Sequence, residues 1–320
     1  MLVTSQGTTA GAVSGGCVER AVAARAKRVL QTQAPEMLVY DGRHRLGCNG
    51  SLHILLEPLA PSDPEAFFAA FTSASSVQAA TTQHEVPRRD IHLTSVASVP
   101  IEGDEVSTPD PAQLGTQFRF GETCFAARPT FELDNSSSEY FIYQDTVHPS
   151  PRLIVIGTEY DATVLAQLGA AQGYQTTLVT HPRNPLSDLA NVTVLPIDPA
   201  ELLDQLYLDA RAAVVLMSHN YARDLAYLRS LAGVSELAYL GLLGPARRRD
   251  QLLNDLTETH VDLPDWMLSN VYGPAGIDLG GELPEQIALS IMAELVAVAN
   301  DRPVPSLRDK RGNIHEPVAR

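Results

Sequence analysis

Two cysteines sit in glycine-flanked turns. Ser14-Gly15-Gly16-Cys17-Val18-Glu19 is followed by Val22, Ala26, Val29 and Leu30 at helical spacing, which predicts Cys17 at or just before a helix N-terminus. Unpaired N–H groups and the helix dipole lower a thiol's pKa there. Gly15 and Gly16 would let a ligand reach the backbone. The second turn, Gly47-Cys48-Asn49-Gly50, follows a polar loop that carries Arg43, His44 and Arg45. Soft donors beside a basic loop suit a soft, anionic ligand. They do not suit zinc, because there is no C-x-x-C and no second pair of ligands. The residues leave a second account of Cys17 open, a small buried cysteine beside a glycine turn. Cys124, between Thr123 and Phe125, reads as a packed core thiol.

A second set of candidates lies in the C-terminal half. Leu153 to Ile156 is an apolar, β-branched run that predicts a strand buried on both faces and ending at Gly157. Val164, Leu165, Leu168 and Ala171 predict a helix stopping near Gly173, and Thr176 to Thr180 a second strand. Strand, helix, strand in about 30 residues opens a Rossmann-like domain. The turn is a poor dinucleotide fingerprint. Its second glycine position holds Glu159 and its third Ala162, and after the second strand His181, Pro182 and Arg183 stand where an NAD site places an acid. Arg183 suits an anion rather than a ribose diol.

The elements beyond can be read in turn. Strands are predicted at Val192 to Leu195, Ala212 to Met217 and Ala238 to Leu240. A helix or turn covers Leu202 to Leu208, and helices cover Asp224 to Leu231 and Pro284 to Val298. His219 follows the fourth strand at its carboxyl end, where ligands of open α/β sheets gather. Gly244 precedes a basic helix start, Arg247-Arg248-Arg249, and Asp278 sits in the loop GPAGIDLGG at 273–281. His219 with Asp224 can also be read as a helix-capping arrangement. The arginine run can be read as a solvated face, and Gly241, Gly244, Gly276 and Gly280 as positive-φ positions only.

The N-terminal half reads as a smaller α+β unit. Strands are predicted at Met1 to Thr4, Ala12-Val13, Met37 to Tyr40 and Leu52 to Leu56. A linker near 60–65 precedes a short helix built on Phe67, Phe68 and Phe71. Alternating runs at Ile91 to Val99, Gln117 to Phe120 and Tyr140 to Tyr143 then predict an antiparallel sheet, with a hairpin loop at Asn135 to Ser138. His148-Pro149-Ser150-Pro151 marks a boundary. The expected organisation is therefore α/β, with an N-terminal α+β domain over 1–145 and a C-terminal Rossmann-like parallel-sheet domain over 150–320.

Composition excludes some functions. The 320 residues carry 23 Lys and Arg against 38 Asp and Glu, a net charge of −15, and show no basic stripe, which argues against a nucleic-acid partner. No apolar run approaches the roughly 20 residues of a membrane span, and no secretory signal opens the chain. Three cysteines without framework spacing read as reduced thiols of a cytoplasmic protein. No residue set forms a nucleophile–base–orienter triad.

Taken together, these segments resemble the xanthine dehydrogenase accessory family, XdhC/CoxI. The resemblance is carried by SGGCVE (Ser14 to Glu19), LGCNGSLHILLEPL (Leu46 to Leu59), SHNYARDLAYL (Ser218 to Leu228), AYLGLLGPARRR (Ala238 to Arg249), GPAGIDLGGELPEQIALSIMAEL (Gly273 to Leu295) and SLRDKRGNIH (Ser306 to His315). It implies an accessory role. Such proteins bind molybdenum cofactor, protect it while a terminal sulfido ligand is installed, and pass it to an apo-molybdenum hydroxylase. It implies that Cys17 and Cys48 contact the molybdenum, and that a cysteine desulfurase is a further partner. The candidate cofactor-binding residues are Gly15, Gly16, Cys17, Arg43, Gly47, Cys48, Asn49, Gly157, Arg183, His219, Gly244 and Asp278. The basic loop, Arg183 and the Arg247 helix start are candidates for the cofactor's phosphate. A homodimer is a general prior.

The chain departs from the family pattern in three places. Met1 matches an internal methionine, so a further helix and strand are expected upstream. The turn after the first Rossmann strand carries less glycine. Leu283 replaces the usual Thr before the last helix, removing an N-cap worth about 1 kcal/mol. Two other functions remain open: an NADP-dependent oxidoreductase, supported by Arg183 and opposed by Glu159, and a non-catalytic docking module for the hydroxylase.

Overall fold

The computed structural model describes residues 1–13, 16–41, 51–75, 91–97, 115–120, 123–128, 141–147, 150–259, 263–269, 271–304 and 306. The described residues up to 147 and those from Ser150 onward belong to two compact units.

In the C-terminal unit the predicted Rossmann pattern is present. Six strands, β9 (Arg152–Ile156), β10 (Gln175–Thr180), β11 (Thr193–Pro196), β12 (Ala212–Leu216), β13 (Tyr239–Leu242) and β14 (Val271–Tyr272), form one sheet in the order β11-β10-β9-β12-β13-β14. Every pairing is parallel. The order reverses between β9 and β12, which makes the carboxyl ends of those strands the topological switch point. Every residue of β9 and β12 is buried, as their unbroken apolar runs require.

Helix α3 (Tyr160–Ala171) packs with α8 (Pro284–Ala299), and α5 (Tyr221–Leu231) with α6 (Ala246–Glu258). A 3-10 turn (Pro199–Glu201), α4 (Leu202–Gln205) and α7 (Asp265–Ser269) complete the unit. Two apolar clusters result. Ile156, Val214, Leu228 and Leu252 belong to one, and Leu153, Val155, Leu165 and Ile291 to the other. The clusters draw alternate residues of β9 and β12, as side chains of a strand must when both faces are covered. Sequence periodicity missed α7 and β14, which are five and two residues long; neither completes enough of a repeat to register.

Leu283 stands at the N-cap of α8 with no side-chain cap bond. The Gln286 side chain reaches back instead, its Oε1 accepting from the N–H of Glu282 at 3.1 Å and of Leu283 at 3.2 Å. That is one half of a capping box.

The N-terminal unit contains β1 (Leu2–Val3), β2 (Thr9–Ala10), α1 (Cys17–Thr32), β3 (Glu36–Asp41), β4 (Ser51–Leu56), α2 (Pro64–Ser75), β5 (Ile91–Ala97), β6 (Gly115–Phe120), β7 (Thr123–Ala126) and β8 (Phe141–Val147). The last four β-strands make the predicted antiparallel sheet, ordered β7-β6-β5-β8. Val18, Val22, Ala26 and Val29 pack with Leu38 and Leu56.

Three expectations are corrected here. The partner of β1 is Thr9–Ala10, not Ala12-Val13, because Leu2 pairs with Ala10 across a turn closed by the Gly7 N–H on the Thr4 carbonyl. Phe67 is buried against Phe118 and Phe125, but Phe68 is exposed; neighbouring residues on a helix point to different faces. Cys124 is exposed, not core, because β7 is a four-residue edge strand. The hairpin expected at Asn135 to Ser138 lies outside the described residues.

Candidate functional site

The carboxyl edge of the parallel sheet holds two concavities. The first, a shallow hollow of about 10 Å³, is walled by the ends of β9, β10 and β12, with Gly157, Thr158, His181, Ser218 and Arg223 among its lining residues. The second, about 250 Å³, is lined by His219, Asp224, Leu243, Gly244 and Arg248. Past the end of β12, Ser218 lines the first and His219, the next residue, lines the second.

Gly157 is required by packing. A Cβ there would lie 2.6 Å from the Met217 carbonyl oxygen and 3.0 Å from the Ala162 side chain. The end of β9, the start of α3 and the exit of β12 therefore touch. Gly157 N–H is also spent, donating to the Val179 carbonyl at 3.0 Å.

The start of α3 is acidic. Glu159 is its N-cap residue and Asp161 lies in its first turn. Asp161 Oδ1 accepts from the Ala162 N–H at 2.9 Å, and Oδ2 lies 2.6 Å from His219 Nε2. His219 has a left-handed backbone, φ 52, where a non-glycine residue is uncommon. A Rossmann dinucleotide would place its pyrophosphate at this helix start. Here two acidic residues stand there, in line with the broken fingerprint.

The capping arrangement expected of His219 and Asp224 is a different one. Asn220 caps α5, its side-chain oxygen accepting from the Arg223 N–H at 3.1 Å. Asp224 is buried, and it accepts from Ser218 Oγ through Oδ1 and from Arg248 Nη2 through Oδ2, the latter at 2.7 Å. The Arg248 guanidinium also lies over the Tyr221 ring, 5.4 Å from its centroid. Burial, with a bond to Asp255 at 2.7 Å, pushes the Tyr221 phenol up to about 12. Gly244 adopts φ 108, and a Cβ on it would meet Arg248 Cδ at 2.8 Å, so its lack of a side chain lets Arg248 lie across the second concavity.

Of the basic run, Arg249 donates to the Gly273 carbonyl at 2.8 Å and pairs with Asp250. Arg248 is bound to Asp224, and Arg247 is the member of this run that has no hydrogen-bond or ion-pair partner among the described residues. Arg183 is exposed at the end of β10, and its N–H donates to His181 Nδ1 at 3.1 Å. Asp278 is exposed, lines neither concavity, and accepts from the Gly280 N–H at 3.1 Å. Its loop is pinned by Glu294, which accepts from the Gly276 N–H at 2.8 Å and from the Tyr239 hydroxyl at 2.6 Å.

In the N-terminal unit Cys17 opens α1, at the position its turn predicted. Gly16, the N-cap, has φ 129, a conformation open to glycine. Glu19 reaches back, accepting from the Gly16 N–H and from the Val13 N–H at 3.0 Å, which fixes the approach to Cys17. Gly15, Arg43, Gly47, Cys48 and Asn49 lie outside the described residues. Among the described residues no three His, Cys, Asp or Glu gather as a metal-ligand group, and no helix is long and apolar enough to cross a membrane.

The structure thus brings Gly157, His219 and Gly244 to one sheet edge and leaves Asp278 and the Arg183 side chain outside its hollows. Sequence reasoning missed Asp161, Ser218 and Arg223, and missed Asp224 as a buried ion. One signal was present: Asp224, Leu228 and Leu231 share the buried stripe of α5, and a carboxylate in an apolar register needs a partner.

Known proteins resemble this chain over both units. The XdhC Rossmann domain model matches residues 153–295, and the XdhC and CoxI family model matches residues 1–41. A protein of Bacillus subtilis (strain 168), named as a probable xanthine dehydrogenase subunit, is 26% identical over 310 residues, 92% of this chain and 86% of that protein. The molybdenum cofactor insertion chaperone PaoD of Escherichia coli (strain K12) is 23% identical over 303 residues, 93% of this chain and 77% of that protein. A crystal structure described as a xanthine dehydrogenase from Bacillus halodurans matches with a TM-score of 0.69 at 22% identity, over 94% of this chain and 86% of that one; it shows the fold.

Proposed function

The chain belongs to the XdhC and CoxI family, by its matches over residues 1–41 and 153–295, and from that premise we propose that it is an accessory factor that binds molybdenum cofactor and delivers it to an apo-hydroxylase of the xanthine dehydrogenase type. The single observation that carries the reading is the position of Cys17. It is the first residue of α1, behind a glycine at φ 129 and a turn held by Glu19. The dipole at a helix start favours the thiolate of a cysteine in that position. A thiolate is the soft donor that a dithiolene-bound metal accepts. Cys48 is the second soft donor in this reading. The insertion role named for PaoD supports delivery.

The finer parts follow from the same reading. The protein acts in the cytoplasm, holds the cofactor while a cysteine desulfurase supplies the sulfur for its terminal sulfido ligand, and then meets the hydroxylase. Of the candidate binding residues, Cys17 and Cys48 would contact the metal, and Gly15, Gly16, Arg43, Gly47 and Asn49 would complete the N-terminal contribution to cofactor binding.

The test is pterin content. The chain is expressed with molybdate, purified, denatured and oxidised, and the fluorescent pterin derivative is measured beside a Cys17→Ser variant. Pterin is expected in the parent and a loss of most of it in the variant. A parent that carries no pterin, and takes up none when cofactor is supplied, would overturn the reading.

A further inference from the structure

We infer that the smaller concavity at the switch point is a phosphomonoester site, built by Arg223, His181 and Thr158. Nothing in this assignment depends on the cysteine turns.

The three side chains are prepared as donors. Arg223 lies in the first turn of α5, half-buried, and its guanidinium has no hydrogen-bond or ion-pair partner among the described residues. A cation in a protein of net charge −15 is ordinarily neutralised, as Arg248 is by Asp224. His181 Nδ1 accepts from the Arg183 N–H, so the neutral ring carries its proton on Nε2, the nitrogen left to donate. Thr158 Oγ1 accepts from the Asn184 side-chain amide at 3.2 Å, which leaves its own hydrogen to give. Three donors, each with its accepting capacity in use or absent, fit a group that only accepts.

The surroundings agree in charge. No carboxylate lines this hollow. Ser218 Oγ is committed to Asp224 and the Asn220 backbone. Asp198, whose charge reaches the nearby Tyr227 phenol, already accepts from the Ala200 N–H. The enclosed space is only about 10 Å³, room for about one water, so the anion sits at the open mouth of the hollow. A phosphate held there by the three donors has its ester link leading out to solvent. The acidic start of α3 keeps a pyrophosphate from the usual Rossmann position, so the phosphate site is displaced toward β10 and α5.

The experiment is a ³¹P NMR titration of inorganic phosphate with the full chain, beside Arg223→Gln and Thr158→Val. Circular dichroism confirms that each is folded. Saturable broadening is expected for the parent. Removing a charge-assisted bond should weaken it about tenfold or more in Arg223→Gln, and removing the hydroxyl should weaken it several-fold in Thr158→Val. A parent with no saturable binding below about 10 mM, or an Arg223→Gln titration that overlays the parent's, would overturn the site. Glycerol 3-phosphate and a nucleoside 5′-monophosphate then separate the sources. Equal affinities for the two assign a phosphomonoester of any carrier, and a preference for the nucleotide assigns a base contact beyond the hollow. Arg223→Gln that retains pterin while losing phosphate would separate this site from the cysteine reading.

Discussion

Arg248 donates from Nη2 to Asp224 Oδ2 across 2.7 Å, joining α6 to α5 beside the exit of β12. The carboxylate is 4% exposed and the guanidinium 25%. Asp224 also receives the Ser218 hydroxyl, so one buried charge ties together two helices and the end of a strand.

Asp224→Asn removes that charge while keeping the shape. Breaking a buried pair from one side costs about 3–5 kcal/mol when the partner stays buried. Arg248 keeps some access to water, so a loss of about 2 kcal/mol is expected. Urea unfolding can be followed by Trp266, the only tryptophan in the chain, which is buried and donates to the Val234 carbonyl. A loss below about 0.5 kcal/mol would show that the pair does not hold α5 and α6 together.

Gly157→Ala tests the close approach of β9 to β12. The added methyl would meet a backbone carbonyl at 2.6 Å, and a backbone atom cannot swing aside as a side chain can. Overpacking of this kind costs about 1–3 kcal/mol. Trp266 reports this change too. An unchanged midpoint would mean that the β9 exit is not tightly packed on the Met217 carbonyl.

Much of the C-terminal fold was legible because its strands are buried on both faces. Leu153 to Ile156 and Ala212 to Leu216 leave unbroken apolar runs that no exposed segment tolerates. The Cys17 helix start was legible because glycine, cysteine and the apolar spacing of Val18, Val22 and Val29 are all local signals. The sheet-edge site was legible only in part. His219 and Asp161 are 58 residues apart, and Asp224 and Arg248 are 24 apart. Such pairs exist only once strand order is set, and strand order is a long-range property. The edge strand of Cys124 failed for a related reason: its residues alternate like any strand, and only its place in the sheet exposes the thiol.

Leu283→Thr should stabilise the protein. Leu283 is 59% exposed at the N-cap of α8, and Gln286 supplies only the reach-back half of a capping box. A threonine hydroxyl could accept from the N3 backbone N–H, a gain of about 1 kcal/mol, and would remove an exposed leucine. Thermal unfolding with Trp266 fluorescence reads it. A lower midpoint would show that Leu283 makes a contact worth more than a cap.

Glu57→Gln should change the pH dependence of the N-terminal unit. Burial pushes the Glu57 carboxyl above the usual range, outweighing the Thr116 N–H that it accepts at 3.1 Å and the nearby Arg128 charge. A raised pKa means that the folded state binds the proton more tightly than the unfolded state. The native unit therefore gains stability from this group as pH falls through the folded pKa toward the unfolded one, and loses it as pH rises. Glutamine mimics the protonated form and keeps an acceptor for Thr116. The variant should be the more stable of the two at neutral pH, with the gap closing as the parent becomes protonated. Glu36 works the other way, its carboxyl held low by Arg28 and then Arg25, and it contributes equally to both proteins. Amide exchange in β6 and β4 across pH is the readout. A gap that widens toward acid would reverse the sign assigned to Glu57.

Cys17 should be the more acidic of the two glycine-turn thiols. It is the first residue of α1, and the dipole at a helix start is worth about 0.3–1 kcal/mol to an anion. Glu19 in the same turn opposes this, but its carboxylate already accepts from the N–H groups of Gly16 and Val13, which offset its charge. The net direction is downward from the free-thiol value of about 8.5. Two variants isolate the thiols: Cys48→Ser with Cys124→Ser leaves Cys17, and Cys17→Ser with Cys124→Ser leaves Cys48. Iodoacetamide alkylation rates against pH should give Cys17 the lower midpoint. Equal midpoints near 8.5 would mean that the helix start does not activate the thiol. The soft-donor role would then have to come from Cys48 and the basic loop that precedes it.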